Sequence, residues 1–249
     1  MKITEEELFD YIRCPAYYHM KYHTKLPIEE NISMPVLLEK VSKYFYFKLL
    51  DQKVPTLNEL KNKWDSICKK YPNYITPKRN IEGMGLIHKL TNWAESEKLI
   101  ILDAEAKYSF HAGNHEFIGS LSTIMPYEKK ERKYEVLLTD FSNRAPDPSM
   151  INMKLAYTLE HYGFLCAYDQ QPERVRIRNI KNARDFHTTR SESDYDRLIT
   201  TIKSVGDAIE NKLFFPRELT CSNCSAKDYC KHWNLEGKKT SKGAINSGN

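Results

Sequence analysis

A cysteine run near the end of the sequence restricts the possible folds more than any other feature. Cys221, Cys224 and Cys230 follow a C-x2-C-x5-C spacing, so three thiols lie within ten residues. Loops this short bring thiols together at little cost in entropy. Metals bound by thiolates usually take a fourth ligand, and the best candidate is Cys14, which precedes a proline. The sequence therefore predicts one metal centre that joins the two ends of the chain.

The spacing of these four cysteines does not identify the metal. Thiolate-only sites suit both structural zinc and an iron–sulfur cluster. The alternative without a metal is four ordinary buried cysteines, although such a run seldom arises by chance. The other two cysteines, Cys68 and Cys166, lie in sequence expected to be helical, and we expect them to be core residues.

The overall composition indicates a cytoplasmic protein with a sizeable core. The 249 residues are enough for one large domain or two small ones, and 41% of them are hydrophobic, which allows a sizeable core. The start of the sequence is acidic and polar, unlike a secretory signal, and no apolar run is long enough for a membrane helix. We therefore expect an intracellular protein with reduced thiols and no membrane partner. The net charge of +5 weakly favours a nucleic-acid partner.

Helix signals dominate the first hundred residues. Thr4 with Glu7, and Thr56 with Glu59, form capping boxes that mark the starts of helices. We expect helices over residues 5–13, 16–22, 33–50 and 83–96, and one after residue 56. Residues 1–98 are therefore predicted to form a helical N-terminal region that carries the first cluster cysteine.

Strand patterns begin at residue 99. Residues 99–102 are predicted to be a buried strand, which continues into an alternation that places Tyr108 and Phe110 on one face. Further strands are expected over 115–125, 134–141 and 173–179, with helices over 150–162, ended by Gly163, and from Ser191 onward. The order predicts an α/β core over 99–212, a cysteine segment over 213–235 and a disordered tail over 236–249.

Both ends of the sequence carry motifs that resemble one family. Residues 11–18 have the sequence YIRCPAYY, and residues 214–216, FFP, precede the cysteine run. These segments are similar to the opening and closing motifs of RecB-family nucleases with an iron–sulfur cluster, which include the AddB subunit and the CRISPR-associated RecB-like exonucleases. The resemblance implies a restriction-endonuclease-like mixed β-sheet core flanked by helices, of the PD-(D/E)xK type. It also implies that the four cysteines hold a [4Fe-4S] cluster, with zinc as the alternative.

The same resemblance implies a function on DNA. The expected ligand is single-stranded DNA or a duplex end. The expected setting is replication, recombination or repair in a cell of bacterial or phage type, beside a helicase, nuclease or recombination partner. In this family acidic residues hold Mg²⁺ or Mn²⁺, which lowers the pKa of water, and a lysine assists the reaction.

The catalytic positions implied by the resemblance are only partly filled. Ser122 stands where the Gly-x-x-Asp pattern of the second core strand requires an Asp. On the third strand Asp140 is present, but Ser142 takes the place of the lysine. Glu105 matches an acidic residue often seen on the first core strand. A serine hydroxyl supplies neither the charge of a carboxylate nor that of a lysine, so the pattern predicts a degenerate nuclease.

Two further family positions also differ. Met153 replaces the Gln of a Gln-x-x-x-Tyr helix that ends at Tyr157, and residues 33–50 contain no metal-binding histidine. The alternatives are an active metal-dependent exonuclease whose acids have moved, with Asp103 or Glu116 as candidates, and a protein-interaction module with a structural metal. The plainest alternative role for Glu105 is an ion pair with a neighbour such as Lys107, and for Asp140 a solvated acid at a strand end.

Basic and aromatic residues provide weaker indications of a nucleic-acid interface. Arg144 and Lys154 flank the expected cleft, and we expect them to contact DNA there. Arg174, Arg176 and Arg178 alternate along one strand, so they either bind phosphates or form an ion-paired sheet face. Tyr17, Tyr18 and Tyr22 lie beside Cys14 and could stack bases or pack as core. Lys129 and Lys130 lie in a loop of mixed charge.

Overall fold

The structure is a computed structural model, and it describes residues 1–28, 32–128, 132–144 and 146–231. The predicted disordered tail and the lysines at 129 and 130 lie outside the described residues. The chain divides into two compact units. The first unit comprises Met1–Lys2 and Ile32–Ile202, and the second comprises Ile3–Asn31 and Lys203–Asn249.

The described chain is a mixed α/β structure, which confirms the predicted fold class. Its helices are α1 (Glu5–Arg13), α2 (Pro15–Tyr18), a π-helical segment (His19–His23), α3 (Met34–Leu50), α4 (Leu57–Lys70), α5 (Pro77–Glu97), α6 (Pro148–Ile151), α7 (Leu155–Tyr168), α8 (Glu192–Glu210) and two short 3₁₀ helices (Glu218–Asn223 and Lys227–Tyr229). Its strands are β1 (Lys2–Thr4), β2 (Asp103–Ala104), β3 (Lys107–Ala112), β4 (His115–Ser120), β5 (Thr123–Pro126), β6 (Tyr134–Asp140), β7 (Arg174–Asn179) and β8 (Arg184–Thr188).

Capping residues set the starts of the N-terminal helices. Both predicted capping boxes form: the backbone N–H groups of Thr4 and Thr56 each donate to the glutamate three residues later, at 2.9 and 2.8 Å. Helix α5 begins at Pro77, six residues before the predicted start, because the Thr76 hydroxyl accepts a hydrogen bond from the N–H of Arg79. Within the described part of the chain, no helix is both long and apolar enough to cross a membrane.

The first unit is built on two sheets. One sheet contains the antiparallel hairpin of β3 and β4, and the N–H of Glu116 in β4 also donates to the carbonyl of Met1 at 2.9 Å. The other sheet has the order β2-β5-β6-β7-β8, in which only β6 and β7 are parallel. The parallel register places Asp140 opposite Asn179. The ends of β6 and β7 therefore bring together residues that lie far apart in the sequence.

Three predicted elements differ from the structure. The predicted buried strand over 99–102 was wrong: Ile100 and Leu102 are 51% and 44% exposed, and the strand consists of Asp103–Ala104 alone. The predicted return strand over 115–125 is interrupted at residues 121–122 and forms β4 and β5. The predicted helix over 150–162 is instead α6 followed by α7. Strand β8, which pairs with β7, was not predicted.

Gly163 does not end helix α7, contrary to the sequence prediction. It lies inside the helix, where a Cβ atom would come within 2.5 Å of the Tyr108 ring. The residue therefore serves close packing between α7 and β3 rather than helix termination. Tyr108 is 5% exposed, so this contact belongs to the core.

A large apolar cluster fills the space between α3, α4, α5 and the five-stranded sheet. It contains two tryptophans, of which Trp64 is fully buried and donates from its indole N–H to the Asn80 side chain at 2.7 Å. Cys68 packs at the edge of this cluster and is half-buried, whereas Cys166 is exposed. The prediction that Cys166 is a core residue was therefore wrong, because it lies on the solvent side of α7.

Candidate functional site

A cavity of 610 Å³ opens beside the end of strand β6 in the first unit. Helix α3 and the segment from 140 to 157 form its walls. Four residues predicted from the sequence line it, namely Asp140, Ser142, Arg144 and Lys154. Its other walls are mainly apolar, with side chains such as Val36, Phe141, Met150, Tyr157 and Ile177. The structure thus brings together, in one concave site, the acid of the third core strand and two cations.

The carboxylate of Asp140 is hydrogen-bonded within the protein. It accepts from the Ser142 N–H at 2.8 Å, from the Ser142 hydroxyl at 2.9 Å and from the Asn179 amide at 2.7 Å. Asn179 is fully buried, and its side chain also accepts from the Asn182 N–H at 2.9 Å. These donors fix the carboxylate in a tight turn, and Asn179 is a part of the site that the sequence did not indicate.

Ser122, at the position of the expected catalytic Asp, is bonded to a glutamate that the sequence analysis missed. The Ser122 N–H and hydroxyl donate to the two oxygens of Glu160, at 2.9 and 2.5 Å. Glu160 is 8% exposed on α7, one turn beyond the cavity residue Tyr157. A carboxylate is therefore present beside Ser122, but it comes from a different element. Its only signal in the sequence is its spacing of three residues from Tyr157.

Glu105 lies in the short break between β2 and β3. Its backbone has a φ of 60°, in the left-handed region, and its N–H donates to the carbonyl of Ser122 at 3.1 Å. Its side chain pairs with Lys43 of α3 at 2.8 Å, not with Lys107. Lys43 also lies 3.8 Å from Glu39, which lines the cavity. The predicted first-strand acid is thus neutralised by a lysine of α3.

The two acids considered as migrated ligands have partners elsewhere. The Asp103 carboxylate accepts from the Tyr168 hydroxyl at 2.5 Å, and this contact raises the pKa of Tyr168 in addition to the larger effect of burial. Glu116 pairs with Lys2 at 3.3 Å. Neither residue lines the cavity beside Asp140.

The predicted cations fall into two groups. Arg144 and Lys154 are exposed at the cavity, and neither side chain has an ion-pair partner in the described part of the chain. By contrast, Arg174 pairs with Glu135 at 2.6 Å, and Arg176 pairs with Asp185 at 2.9 Å. Arg178 also pairs with Asp185, so the strand forms the ion-paired sheet face. Arg144 and Lys154 are the cations better placed for an added anion.

The four predicted metal ligands gather in the second unit. Cys14, which is 6% exposed, packs in one apolar cluster with Tyr17, Met20 and Ala226, and Cys224 and Cys230 pack against the same cluster. Burial first, and then the charges of the other three thiols, raise the pKa of the Cys221 thiol. The Cys221 sulfur therefore lies close enough to the other three to interact with them electrostatically.

Four thiols are the donor set that both structural zinc and an iron–sulfur cluster take. Among the residues that the structure describes, no group of three or more His, Cys, Asp or Glu side chains has the geometry to hold a metal ion. The choice between the two metals stays a prediction.

The tyrosines beside Cys14 are mainly core residues. Tyr17 and Tyr18 are 4% and 2% exposed, so their ring faces are not available to bases. The Tyr22 hydroxyl donates to Asp10 at 3.0 Å. The core alternative considered for Tyr17 and Tyr18 is therefore the one that the structure shows.

Comparison with known proteins identifies the fold. No known family profile matches the sequence, and no curated protein matches it. The chain is similar to the crystal structure of a protein from Eubacterium rectale provisionally named an exonuclease, with a TM-score of 0.59 and 11% identity over 98% of this chain and 91% of that chain. A structure of the protein SSO0001 has 11% identity and a TM-score of 0.39, over 88% of this chain and 94% of that one, and supports no argument. The first likeness shows a nuclease-like fold.

Proposed function

We propose that this chain is a DNA-binding, iron–sulfur RecB-like nuclease-family protein whose cleavage centre is degenerate. The observation that carries the proposal is that protein groups, not open coordination positions, surround the carboxylates of the expected centre. Lys43 neutralises Glu105, Ser122 holds Glu160, and Ser142 with Asn179 holds Asp140.

The chemistry of divalent metals explains why this arrangement disfavours cleavage. Mg²⁺ and Mn²⁺ require several oxygen ligands in a nearly fixed geometry, and most of the charge must come from carboxylates. The Lys43 ammonium already supplies a positive charge to Glu105. A bound metal would have to displace it and reorganise the hydrogen bonds of Asp140. Without a metal, water in the site keeps its high pKa and is a poor nucleophile.

Retained DNA binding is supported by the cations of the cavity. Arg144 and Lys154 present their charges at the mouth of the concave site, and Lys154 lies 5.4 Å from the ring of Tyr157. Unpaired guanidinium and ammonium groups bind phosphates by releasing condensed counterions. The proposed ligand is single-stranded DNA or a duplex end, and the proposed setting is replication, recombination or repair beside a helicase, nuclease or recombination partner.

The four cysteines are proposed to hold a [4Fe-4S] cluster. Cys14, Cys221, Cys224 and Cys230 would ligate it, and when bound it would cross-link the segments that carry them. Such a cross-link restricts the unfolded chain more strongly the longer the loop it closes. A reducing cytoplasmic compartment, as expected from the sequence, suits this centre.

One experiment separates this proposal from an active exonuclease. The full chain is purified without oxygen, and labelled single-stranded and duplex DNA are offered with Mg²⁺ or Mn²⁺, with Asp140→Asn as the control. We expect binding without cutting in either preparation. Metal-dependent cutting that Asp140→Asn abolishes would establish an enzyme instead.

The binding half of the proposal has its own controls. Arg144→Ala combined with Lys154→Ala should weaken DNA binding and reduce its salt dependence, whereas Lys78→Ala, an exposed cation of α5, should not. Lack of affinity for any DNA would favour an interaction module with a structural metal.

Iron and sulfide analysis of Cys14→Ser against Cys68→Ser tests the cluster, because only the first removes a proposed ligand.

A further inference from the structure

We propose that the second unit carries a ring face, formed by His19, His23 and Phe214, on which unpaired nucleobases stack. The inference rests on the proposed function to the extent that the ligand is a nucleic acid. It adds a second contact, formed by other residues than those of the cavity, and it specifies single-stranded nucleic acid as the form that the second unit binds.

The three rings contact one another in a compact group. The imidazoles of His19 and His23 lie 5.5 Å apart, with an angle of 15° between their planes. The Phe214 ring lies 4.6 Å from His19 and 5.1 Å from His23. Aromatic groups at such separations provide flat surfaces of the kind that stack on bases.

A π-helical segment places both histidines in this group. Residues His19–His23 form the segment, which is closed by the hydrogen bond from the Thr24 N–H to the His19 carbonyl at 3.0 Å. Met20, between the two histidines, packs on the buried side against the cluster that contains Cys14. π-Helical turns are rare, and they are frequently found at functional sites. Here the wide turn keeps Met20 in the core while both imidazoles belong to the ring face.

The surroundings of the ring face are exposed and apolar. His23 is exposed, and Phe215 and Leu213, on either side of Phe214, are 56% and 53% exposed. The backbone of this segment is nevertheless held firmly, because the Leu213 carbonyl accepts from the Tyr11 hydroxyl at 2.7 Å and the Phe215 carbonyl accepts from the Ala16 N–H at 3.1 Å. A fixed surface loses little conformational entropy when a ligand binds.

The charges near the ring face favour nucleic acid as the occupant. Lys25 follows His23 by two residues, and Lys212 precedes Phe214 by two residues. Both lysines are exposed, and neither side chain has a partner in the described part of the chain. Flat rings flanked by free cations are the combination that binds single strands without sequence preference, since every base has a stacking face and every nucleotide a phosphate.

The test is fluorescence anisotropy of the full chain with a labelled oligo-dT strand and with a blunt duplex of the same length. His19→Ala with His23→Ala should weaken binding of the single strand by roughly tenfold or more and leave the duplex almost unchanged. His19→Tyr with His23→Tyr should restore most of the affinity, because it replaces the stacking surface. Phe47→Ala, which removes an exposed ring of α3, is the matched control.

The outcomes distinguish this inference from the proposed function. If Arg144→Ala with Lys154→Ala weakens DNA binding but His19→Ala with His23→Ala does not, nucleobases do not stack on the ring face. The proposed function then stands. If the unaltered chain binds no DNA, both fail. Lys25→Ala with Lys212→Ala should lower the slope of log affinity against log salt by roughly 1.4 for the single strand. An unchanged slope would also overturn the proposed ring face.

Discussion

The Lys43 ammonium lies 2.8 Å from the Glu105 carboxylate and 3.8 Å from that of Glu39. It joins the break between β2 and β3 to helix α3, which forms one wall of the cavity beside Asp140. A fixed lysine supplies one positive charge without coordination geometry, whereas a divalent metal supplies two charges and an acidic water. The proposed loss of cleavage therefore rests on this contact as well as on Ser122, which stands where the resemblance places an Asp.

Replacing Lys43 by Met should make the first unit responsive to divalent ions. In the wild type, the thermal unfolding temperature should not change with millimolar Mn²⁺, because the lysine competes for Glu105. In Lys43→Met the released carboxylate should bind Mn²⁺ weakly, and the unfolding temperature should rise with metal concentration. Without metal, the free energy of unfolding of Lys43→Met should be lower than that of the wild type by less than about 1 kcal/mol, because the Lys43–Glu105 pair is partly exposed. Lys61→Met, which breaks an exposed pair with Asp65, is the control. An equal Mn²⁺ response in wild type and Lys43→Met would contradict the competition.

Much of the N-terminal helical region could be predicted from the sequence because local signals determine it. The capping boxes at Thr4 and Thr56 are complete within four residues, and both form in the structure. The error at Gly163 has the opposite cause. Whether a glycine ends a helix or admits a neighbouring ring depends on tertiary packing, and Tyr108 is 55 residues away in the sequence.

The residues of the candidate site were likewise predictable only where they are close neighbours in the sequence. Asp140 and Ser142 could be placed together from the sequence, since they are two residues apart on one strand end. Lys43, Glu160 and Asn179 could not, because the fold brings each from a distant element to its partner. Three of the four thiols were grouped from their spacing and Cys14 was added as the best fourth candidate; Cys14, Cys224 and Cys230 share one apolar cluster, and the metal site stays a prediction.

Restoring the missing acid should destabilise the protein rather than activate it. In Ser122→Asp a second carboxylate would lie beside Glu160, whose oxygen now accepts from the Ser122 hydroxyl at 2.5 Å. Two carboxylates in one buried site cannot both ionise at low cost. We therefore expect the free energy of unfolding to fall by about 3 kcal/mol at pH 7. Urea unfolding at pH 7 and pH 5 measures this loss, which should shrink at the lower pH. Glu160→Gln in the same background should relieve most of it, and a failure to do so would show that the two groups are not adjacent.

Two helical glycines provide a matched test of the core packing. Gly163→Ala places a Cβ 2.5 Å from the buried Tyr108 ring and should destabilise the fold by about 2 kcal/mol. Gly85→Ala, in α5, meets no atom within 4 Å and should stabilise it by up to about 1 kcal/mol, because alanine favours the helix. Urea unfolding of both variants gives the two values. We expect opposite signs; a gain of stability in both variants would contradict the close contact at Tyr108.

His161 should make the stability of the first unit depend on pH between about 6.5 and 4. Its ring is 2% exposed and lies 2.7 Å from the Tyr195 hydroxyl; burial first, and then Arg190, lower the pKa of His161 to about 4. The folded chain thus holds a neutral imidazole that protonates readily on unfolding. The stabilisation that depends on the neutral imidazole is complete above pH 6.5. It is lost as the pH falls towards 4, and the free energy of unfolding drops by roughly 3 kcal/mol in total.

The measurement for His161 is the free energy of unfolding by urea at half-unit steps of pH. His187 also contributes in this range, because burial and then Arg174 lower its pKa. The diagnostic quantity is therefore the difference between the wild type and His161→Phe. That variant loses the Tyr195 hydrogen bond at every pH but cannot gain a proton, so its curve should be flatter below pH 6.5. His111→Gln, at an exposed position of β3, should keep the wild-type curve. Parallel curves for wild type and His161→Phe would mean that the buried imidazole is not the titrating group.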